Sequence, residues 1–307
     1  MYATPIRLDN TMTHISRTSG VLALGALTVL IGTLLLSGPE SFSKPTPSMP
    51  IVVTSPFFYT FNSAGILNEA GTMGNSTSPY WWLNSGGQLV MQNGIGETLQ
   101  GDVSPLNRWR LLYALSNPVD TDGGRHPQNL FRLVSKSTWE NVSQEAHFYI
   151  VADNFSGSPN RNQSNGLLLA SRYTGDGQTL YYAGVRVDGT AVIKKKYRGT
   201  YYTLAQKQVF PGTYAIAAGT STSQNLLPHG VWLGLRLQTL TQSNGNVTLA
   251  LFVQSSNGSW QEVLSATDDG GRAVGNTPPI TGAQYTGVRT DFMDVRFDTF
   301  IARRVSS

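Results

Sequence analysis

The sequence predicts an all-β protein in which two antiparallel sheets pack as a sandwich. From Phe57 onward, short apolar runs alternate with clusters of Gly, Asn, Asp and Ser, as is typical of strands joined by turns. Charged residues are only 13% of the chain and glycine numbers 32, which favours strands over long surface helices. Strands with one apolar face each bury those faces by stacking two sheets. Two segments show such a face by strict alternation: Val231, Leu233, Leu235 and Leu237, and then Val247, Leu249, Leu251 and Val253.

Eight segments have the length, composition and flanking turn residues of strands. No amphipathic helix longer than about two turns is predicted beside them. The segments are residues 146–152, 166–172, 180–187, 190–197, 231–240, 247–254, 260–266 and 294–302.

Composition excludes several classes of function. The chain has no cysteine, so it has no disulfide framework, thiolate metal site or cysteine nucleophile. Its formal charge is +4, and the single dense basic cluster runs from Lys194 to Arg198. That is too small for an extended nucleic-acid footprint, so no nucleic-acid partner is predicted.

The N-terminal region reads as an export or anchoring segment. The 18 residues from Gly20 to Ser37 carry no charge and follow Arg7 and Arg17. This pattern fits a membrane anchor or a signal peptide, and an uncleaved anchor is favoured because no Ala-x-Ala cleavage signal follows. The positive-inside bias then places the N-terminus in the cytoplasm and the rest of the chain outside it. The predicted location is the cell membrane if the segment stays attached, and secretion if it is cleaved. The predicted organisation is a cytoplasmic segment at 1–19, the anchor or signal at 20–38, a Pro/Ser-rich linker at 39–56 and a β domain at 57–304.

The segment from Leu180 to Tyr197 predicts a hairpin rich in cations and tyrosines. Asp188-Gly189 suits a two-residue type I′ turn, in which both central residues need a positive φ. Val187 would then pair with Thr190. This register places four side chains on one face: Tyr182, Arg186, Lys195 and Tyr197.

A second strand adds candidate ligand contacts. Trp232 and Arg236 share the polar face of the strand that begins near Val231. Tryptophan and tyrosine rings stack on the apolar face of sugars, and arginine donates to hydroxyl or carboxylate groups. Together with the hairpin residues they predict a glycan-binding surface. Alternatively, the lysines of the hairpin are solvated residues that discourage edge pairing.

The chain resembles the concanavalin A-like lectin and glucanase superfamily, which includes LamG-like domains. Three segments carry the resemblance: the hairpin LYYAGVRVDGTAVIKKK, the hairpin NVTLALFVQSSNGSWQEV and the closing segment TGVRTDFMDVRFDTFIA. The resemblance implies a jelly-roll sandwich over roughly residues 57–304. It also implies a function in glycan recognition, as a sugar-binding module, a glycoside hydrolase or a polysaccharide lyase.

The resemblance does not identify catalytic residues. The Glu-x-Asp-x-x-Glu strand of the glucanases is absent, and so are the Gln-Ile/Val-His and Tyr-x-Lys-x-Gly strands of the alginate lyases. The leading prediction is therefore an extracytoplasmic carbohydrate-binding domain, with an acidic glycan compatible with its cations. The alternatives are a polysaccharide lyase or glycoside hydrolase, and a structural or adhesion domain of the cell envelope. The family's structural calcium remains an option, with Asp298 as the candidate ligand.

Overall fold

The computed structural model describes residues 56–215 and 225–306. The predicted segments 1–19 and 20–38, and all of 39–56 except Pro56, lie outside the described residues. Within those two ranges, no helix is both long enough and apolar enough to cross a membrane.

The described chain consists of strands with one α-helix between the fifth and the sixth. The helix, α1, spans Arg108–Ser116. The strands, in chain order, are β1 (Phe57–Tyr59), β2 (Gly65–Asn68), β3 (Trp81–Ser85), β4 (Gln88–Gln92), β5 (Ile95–Thr98), β6 (Leu130–Trp139), β7 (Val142–Asp153), β8 (Gly166–Tyr173), β9 (Leu180–Arg186), β10 (Thr190–Tyr197), β11 (Thr200–Gln208), β12 (Trp232–Thr241), β13 (Val247–Gln254), β14 (Trp260–Asp268), β15 (Gln284–Asp291) and β16 (Met293–Arg304).

These strands form two antiparallel sheets, which confirms the predicted two-sheet sandwich. The nine-stranded sheet has the order β14-β13-β12-β7-β16-β5-β4-β2, with β1 also paired to β16. The seven-stranded sheet has the order β11-β10-β9-β8-β15-β6-β3. Because β15 and β16 follow each other in the chain but lie in different sheets, the closing segment links the two layers.

The core lies between the sheets and follows the predicted alternation. Leu235 and Leu237 of β12 and Leu249 and Leu251 of β13 are at most 1% exposed. Val231 departs from the pattern: it precedes β12 and is 50% exposed. The alternation therefore predicted the buried face of the β12–β13 hairpin correctly, apart from Val231.

All eight predicted strands are present, but others were missed. The missed strands are β1 to β6, before β7, and β11 and β15, after it; β1 to β5 have only three to five residues each. Helix α1 has nine residues, about two and a half turns, slightly longer than the sequence suggested. Asn107 begins it, since its side-chain oxygen accepts from the Trp109 N–H at 2.8 Å, a standard N-cap.

The two ends of the sandwich are distinguished by what packs on β16. At one end, called the helix end, Asp294 Oδ2 accepts from the Gly101 N–H at 2.6 Å, and the chain then continues into α1. At the other, called the β1 end, Phe57 pairs with Ala302. The turn at residues 242–246, which joins β12 to β13, also lies at the β1 end because Thr239 pairs with Val142 and Val142 pairs with Arg304.

One ionisable contact makes stability depend on pH. His229 Nε2 lies 3.3 Å from Asp153 Oδ1, and this hydrogen bond raises the pKa of His229. A raised histidine pKa stabilises the fold fully below the unfolded value of about 6.5 and loses that contribution as pH rises through the folded value. We expect urea unfolding to show that His229→Gln is more destabilising at about pH 5.5 than at about pH 8.5. Equal losses at both pH values would contradict this pairing.

Candidate functional site

The six residues of the predicted binding surface are divided between the two outer faces of the sandwich and its interior. Tyr182 and Arg186 lie on the outer face of the seven-stranded sheet, whereas Lys195 and Tyr197 point into the interior. A third group, Trp232 and Arg236, lies on the outer face of the nine-stranded sheet. The predicted single site is therefore not formed.

The error in the hairpin comes from a register that is shifted by one residue. Val185 pairs with Ala191, and Lys195 pairs with Tyr181. The connection has three residues, and of Asp188 and Gly189 only Gly189 takes a positive φ, 78°. A one-residue shift moves every side chain of a strand to the other face.

Val187 explains the shift. Its side chain is 5% exposed and belongs to the core. Its N–H donates to Asn165 O at 2.9 Å, and its carbonyl accepts from the Leu226 N–H at 2.8 Å. Because both backbone groups bind neighbouring loops, Val187 cannot pair with Thr190 across the hairpin.

Lys195 is a structural residue of the interior. Its Nζ contacts Asp268 Oδ2 at 2.7 Å, Thr277 O at 3.0 Å and Pro278 O at 2.8 Å, and both side chains of the ion pair are 0% exposed. Tyr181 donates a further hydrogen bond to the same carboxylate. The predicted ligand role for Lys195 is thus corrected, because no ligand can reach it. The ring of Tyr197 lies 5.5 Å from Lys195 Nζ on the same side.

Arg236 is also engaged within the fold. Its Nε and Nη2 each lie 2.7 Å from Glu145 Oε2, and its guanidinium stacks 4.1 Å from the centre of the Trp260 ring. Trp232 is 42% exposed and packs on Tyr149 at a centroid distance of 5.4 Å. It borders a separate cleft of about 550 Å³.

The outer face of the seven-stranded sheet holds a different constellation, which we call the sheet cleft. It has a volume of about 380 Å³ and adjoins a narrower groove of about 30 Å³ on the same sheet. Tyr182, Tyr201, Arg289 and Leu168 line both parts. The remaining polar lining residues are Asp120, Arg132, Asn160, Asn162, Ser164, Asn165, Lys194, Lys196 and Asp291.

Two tyrosines form the aromatic part of the cleft. The rings of Tyr182 and Tyr201 meet edge to face, with centroids 6.1 Å apart and planes at 74°. Lys194 and Lys196 place their ammonium groups 5.8 Å and 5.3 Å from the centre of the Tyr201 ring, within reach of a cation–π attraction. Burial raises the pKa of Tyr182, so its hydroxyl stays protonated near neutral pH.

An arginine–aspartate pair forms the charged part. Arg289 Nε donates to Asp291 Oδ1 at 2.8 Å, and the charge of Asp291 raises the pKa of Arg289. Asp291 is 1% exposed, and its Oδ2 has no hydrogen-bond partner among the described residues. Burial, followed by the nearby charge of Arg186, lowers the pKa of Lys194. The cleft thus offers a fixed cation and a lysine that loses its proton more readily than usual, whereas the carboxylate of Asp291 is buried beside Arg289.

The loop wall of the cleft is held by side-chain hydrogen bonds. Asp120 accepts from Asn160 Nδ2 at 2.9 Å, from Asn117 Nδ2 at 3.1 Å and from the Ser158 hydroxyl. Ser156 donates to Asp122 Oδ1 at 2.6 Å. These contacts fix residues 156–160 to the segment that follows α1, so the loop wall of the cleft is held in place without a ligand.

Asp298, the candidate calcium ligand of the resemblance, lies on β16, and its role in binding calcium stays a prediction. Calcium takes six to eight oxygen ligands, usually with several carboxylates. Within residues 56–215 and 225–306, no group of three or more His, Asp or Glu side chains could hold a metal ion. Asp298 pairs with His147 across the strands, and its Oδ1 accepts from the Thr299 hydroxyl at 2.9 Å.

Sequence reasoning missed Arg289, Lys194, Tyr201 and Asp291 as a group. Arg289 and Asp291 alternate with core-facing Val288 on β15, so they share the outer face. Alternation around Val288 was available as a signal, but the segment 284–291 was not recognised as a strand. Lys194 was assigned to the wrong face by the shifted register.

No family model and no curated protein matches the chain. Among solved structures, it is similar to the carbohydrate-binding module CBM66 from Bacillus subtilis, with 10% identity over 80% of this chain and 94% of that one, at a TM-score of 0.38. It is similar to a β-glucanase from Bacillus licheniformis, with 12% identity over 82% and 99% of the two chains and a TM-score of 0.40.

A third similar structure is the GH43 protein BlXynB from Bacillus licheniformis, with 11% identity, a TM-score of 0.40 and coverage of 81% of this chain and 39% of that one. Identities of 10 to 12% and TM-scores of 0.38 to 0.40 assign neither a family nor an activity to the chain.

Proposed function

We propose that this protein binds an acidic glycan in the sheet cleft. The observation that carries the proposal is the convergence of Tyr182, Lys194, Tyr201 and Arg289, which come from four strands, on one preformed cleft. Tyrosine rings offer flat apolar surfaces to the C–H faces of a sugar, and the cations offer donors to its oxygens. Ligand sites commonly combine aromatic walls with a few fixed polar groups in this way.

The charge of the lining favours an acidic ligand. Four cations line the cleft and its groove: Arg132, Lys194, Lys196 and Arg289. The carboxylates on the same lining are Asp120 and Asp291, and Asp291 is paired with Arg289. The excess of cations attracts a uronate or another anionic sugar.

The second candidate is a polyuronate lyase that uses the same cleft. Such an enzyme needs a cation to neutralise the sugar carboxylate and a base to remove the neighbouring proton. The lowered pKa of Lys194, beside the fixed cation Arg289, favours this candidate. Binding remains the first proposal because the protonated Tyr182 is poorly suited to act as a base.

We place the domain outside the cytoplasm, tethered to the membrane or secreted. This proposal is supported by the uncharged run from Gly20 to Ser37 after Arg7 and Arg17. Export gives a glycan-binding domain access to extracellular or envelope polysaccharides.

A glycan array tests the proposed function. Each glycan that is retained is then incubated with the protein while the ultraviolet absorbance of unsaturated sugars, the products of a lyase, is monitored. We expect retention of polyuronates or other acidic glycans and no growth of absorbance from unsaturated products. Absorbance growth would favour the lyase, and retention of no glycan would overturn both candidates.

A further inference from the structure

Helix α1 and its flanking residues expose an unusual number of large apolar side chains. The exposed fractions are 92% for Leu106, 58% for Leu111, 51% for Leu112, 86% for Leu115 and 57% for Val119. Single exposed leucines are normal, but a contiguous set marks a surface that meets another apolar phase. We call these five residues the leucine patch.

The patch is separate from the face that holds the helix on the domain. Trp109 and Tyr113 are buried, and the Tyr113 hydroxyl accepts from the Gly86 N–H at 2.9 Å. The three leucines of α1 follow Arg108 at three, four and seven residues, so they share one helical face with it. The helix is therefore anchored by one side while an adjacent side presents leucines and an arginine.

The charges of α1 are entirely basic. The helix contains Arg108 and Arg110 and no Asp or Glu. The Arg108 guanidinium lies 4.6 Å from the centre of the Trp109 ring, close to the leucines. Exposed leucines beside an arginine on one short surface helix form the composition of interfacial membrane segments.

We propose that the leucine patch docks on the headgroup region of a bilayer containing anionic lipids. The side chains of Leu106 and Leu115 protrude almost fully from the surface, which suits insertion among lipids. The uncharged run at Gly20–Ser37 is a second, independent membrane-directed feature of this chain.

The chain length allows both contacts at once. Along β16, Asp294 at the helix end and Ala302 at the β1 end are eight residues apart, or about 26 Å. The 18 residues from 38 to 55 can span up to about 56 Å when extended, so a tether that joins at the β1 end can still bring the helix end to the same bilayer. The inference does not depend on glycan binding.

Lipid contact at single labelled positions tests this proposal, because the chain has no cysteine. The full chain is reconstituted into vesicles of phosphatidylcholine with about 30% phosphatidylserine. An environment-sensitive fluorophore is attached to the cysteine of the Leu115→Cys variant. The matched control carries it on the cysteine of Asn244→Cys, at the β1 end. We expect a blue shift and quenching by brominated lipids at position 115 and neither at position 244.

Two further outcomes decide the proposal. Adding Leu111→Ser and Leu112→Ser to the position-115 label abolishes the lipid quenching, while circular dichroism stays unchanged. Equal water exposure at both positions, quenching at position 244 alone or no association with vesicles would overturn the proposal. A signal at position 115 that depends on protein concentration and not on lipid would also overturn it, by showing that a second copy covers the patch.

Discussion

Replacing Lys195 by methionine should lower the free energy of unfolding by about 3–5 kcal/mol, because it leaves the buried carboxylate of Asp268 without its cation. Lys195 Nζ contacts this carboxylate at 2.7 Å, and both side chains are fully buried. Methionine keeps a similar length and apolar stem, so the loss reports the charge rather than a cavity. Urea unfolding followed by fluorescence measures the change.

Lys194→Met is the matched control, since the neighbouring lysine points to the outer face. We expect it to change stability by less than about 1 kcal/mol. Adding Asp268→Leu to Lys195→Met removes the stranded charge and should restore at least half of the loss. If Lys195→Met is no more destabilising than Lys194→Met, the assignment of Lys195 to the interior is contradicted.

Substitutions in the sheet cleft should weaken glycan binding while the fold remains intact. Tyr201 is 47% exposed, and losing its ring should reduce affinity for an acidic glycan by about tenfold, the equivalent of about 1.4 kcal/mol. Lys194→Ala should have a similar effect, and that effect should shrink at high salt because it is electrostatic. Isothermal titration calorimetry with a glycan identified on the array measures both.

Two control variants separate the cleft from the rest of the surface. Lys207→Ala removes an exposed cation of β11 that does not line the cleft. Trp232→Ala removes an exposed aromatic residue of the other sheet. Both should leave the affinity unchanged. A loss of binding in Trp232→Ala that exceeds the loss in Tyr201→Ala would place the site on the nine-stranded sheet.

The fold was accessible from the sequence because the apolar faces of its strands alternate. Leu235 and Leu249 lie in the interior as their alternation requires, and the Gly, Asn and Asp clusters fall between strands. The first strands were not predicted because β1 and β2 have only three and four residues. Such runs are too short for periodicity to be recognised.

The site was less accessible because it depends on register and on pairing between distant strands. The local preference of Asp188-Gly189 for a two-residue turn was overridden by the tertiary hydrogen bonds of Val187. That single residue decides whether Lys194 or Lys195 faces outward. Arg289 joins Tyr182 only through the order of β9, β8 and β15 in the sheet, which the sequence of one chain does not show.

Hydrogen exchange with and without saturating acidic glycan tests the location of the site most directly. Binding in the sheet cleft predicts slower exchange in β9, β10, β11 and β15, and in the loop of residues 158–165. The strands β12, β13 and β14 of the other sheet should exchange at unchanged rates. Protection confined to β12, β13 and β14 would contradict the proposed cleft and would locate recognition around Trp232.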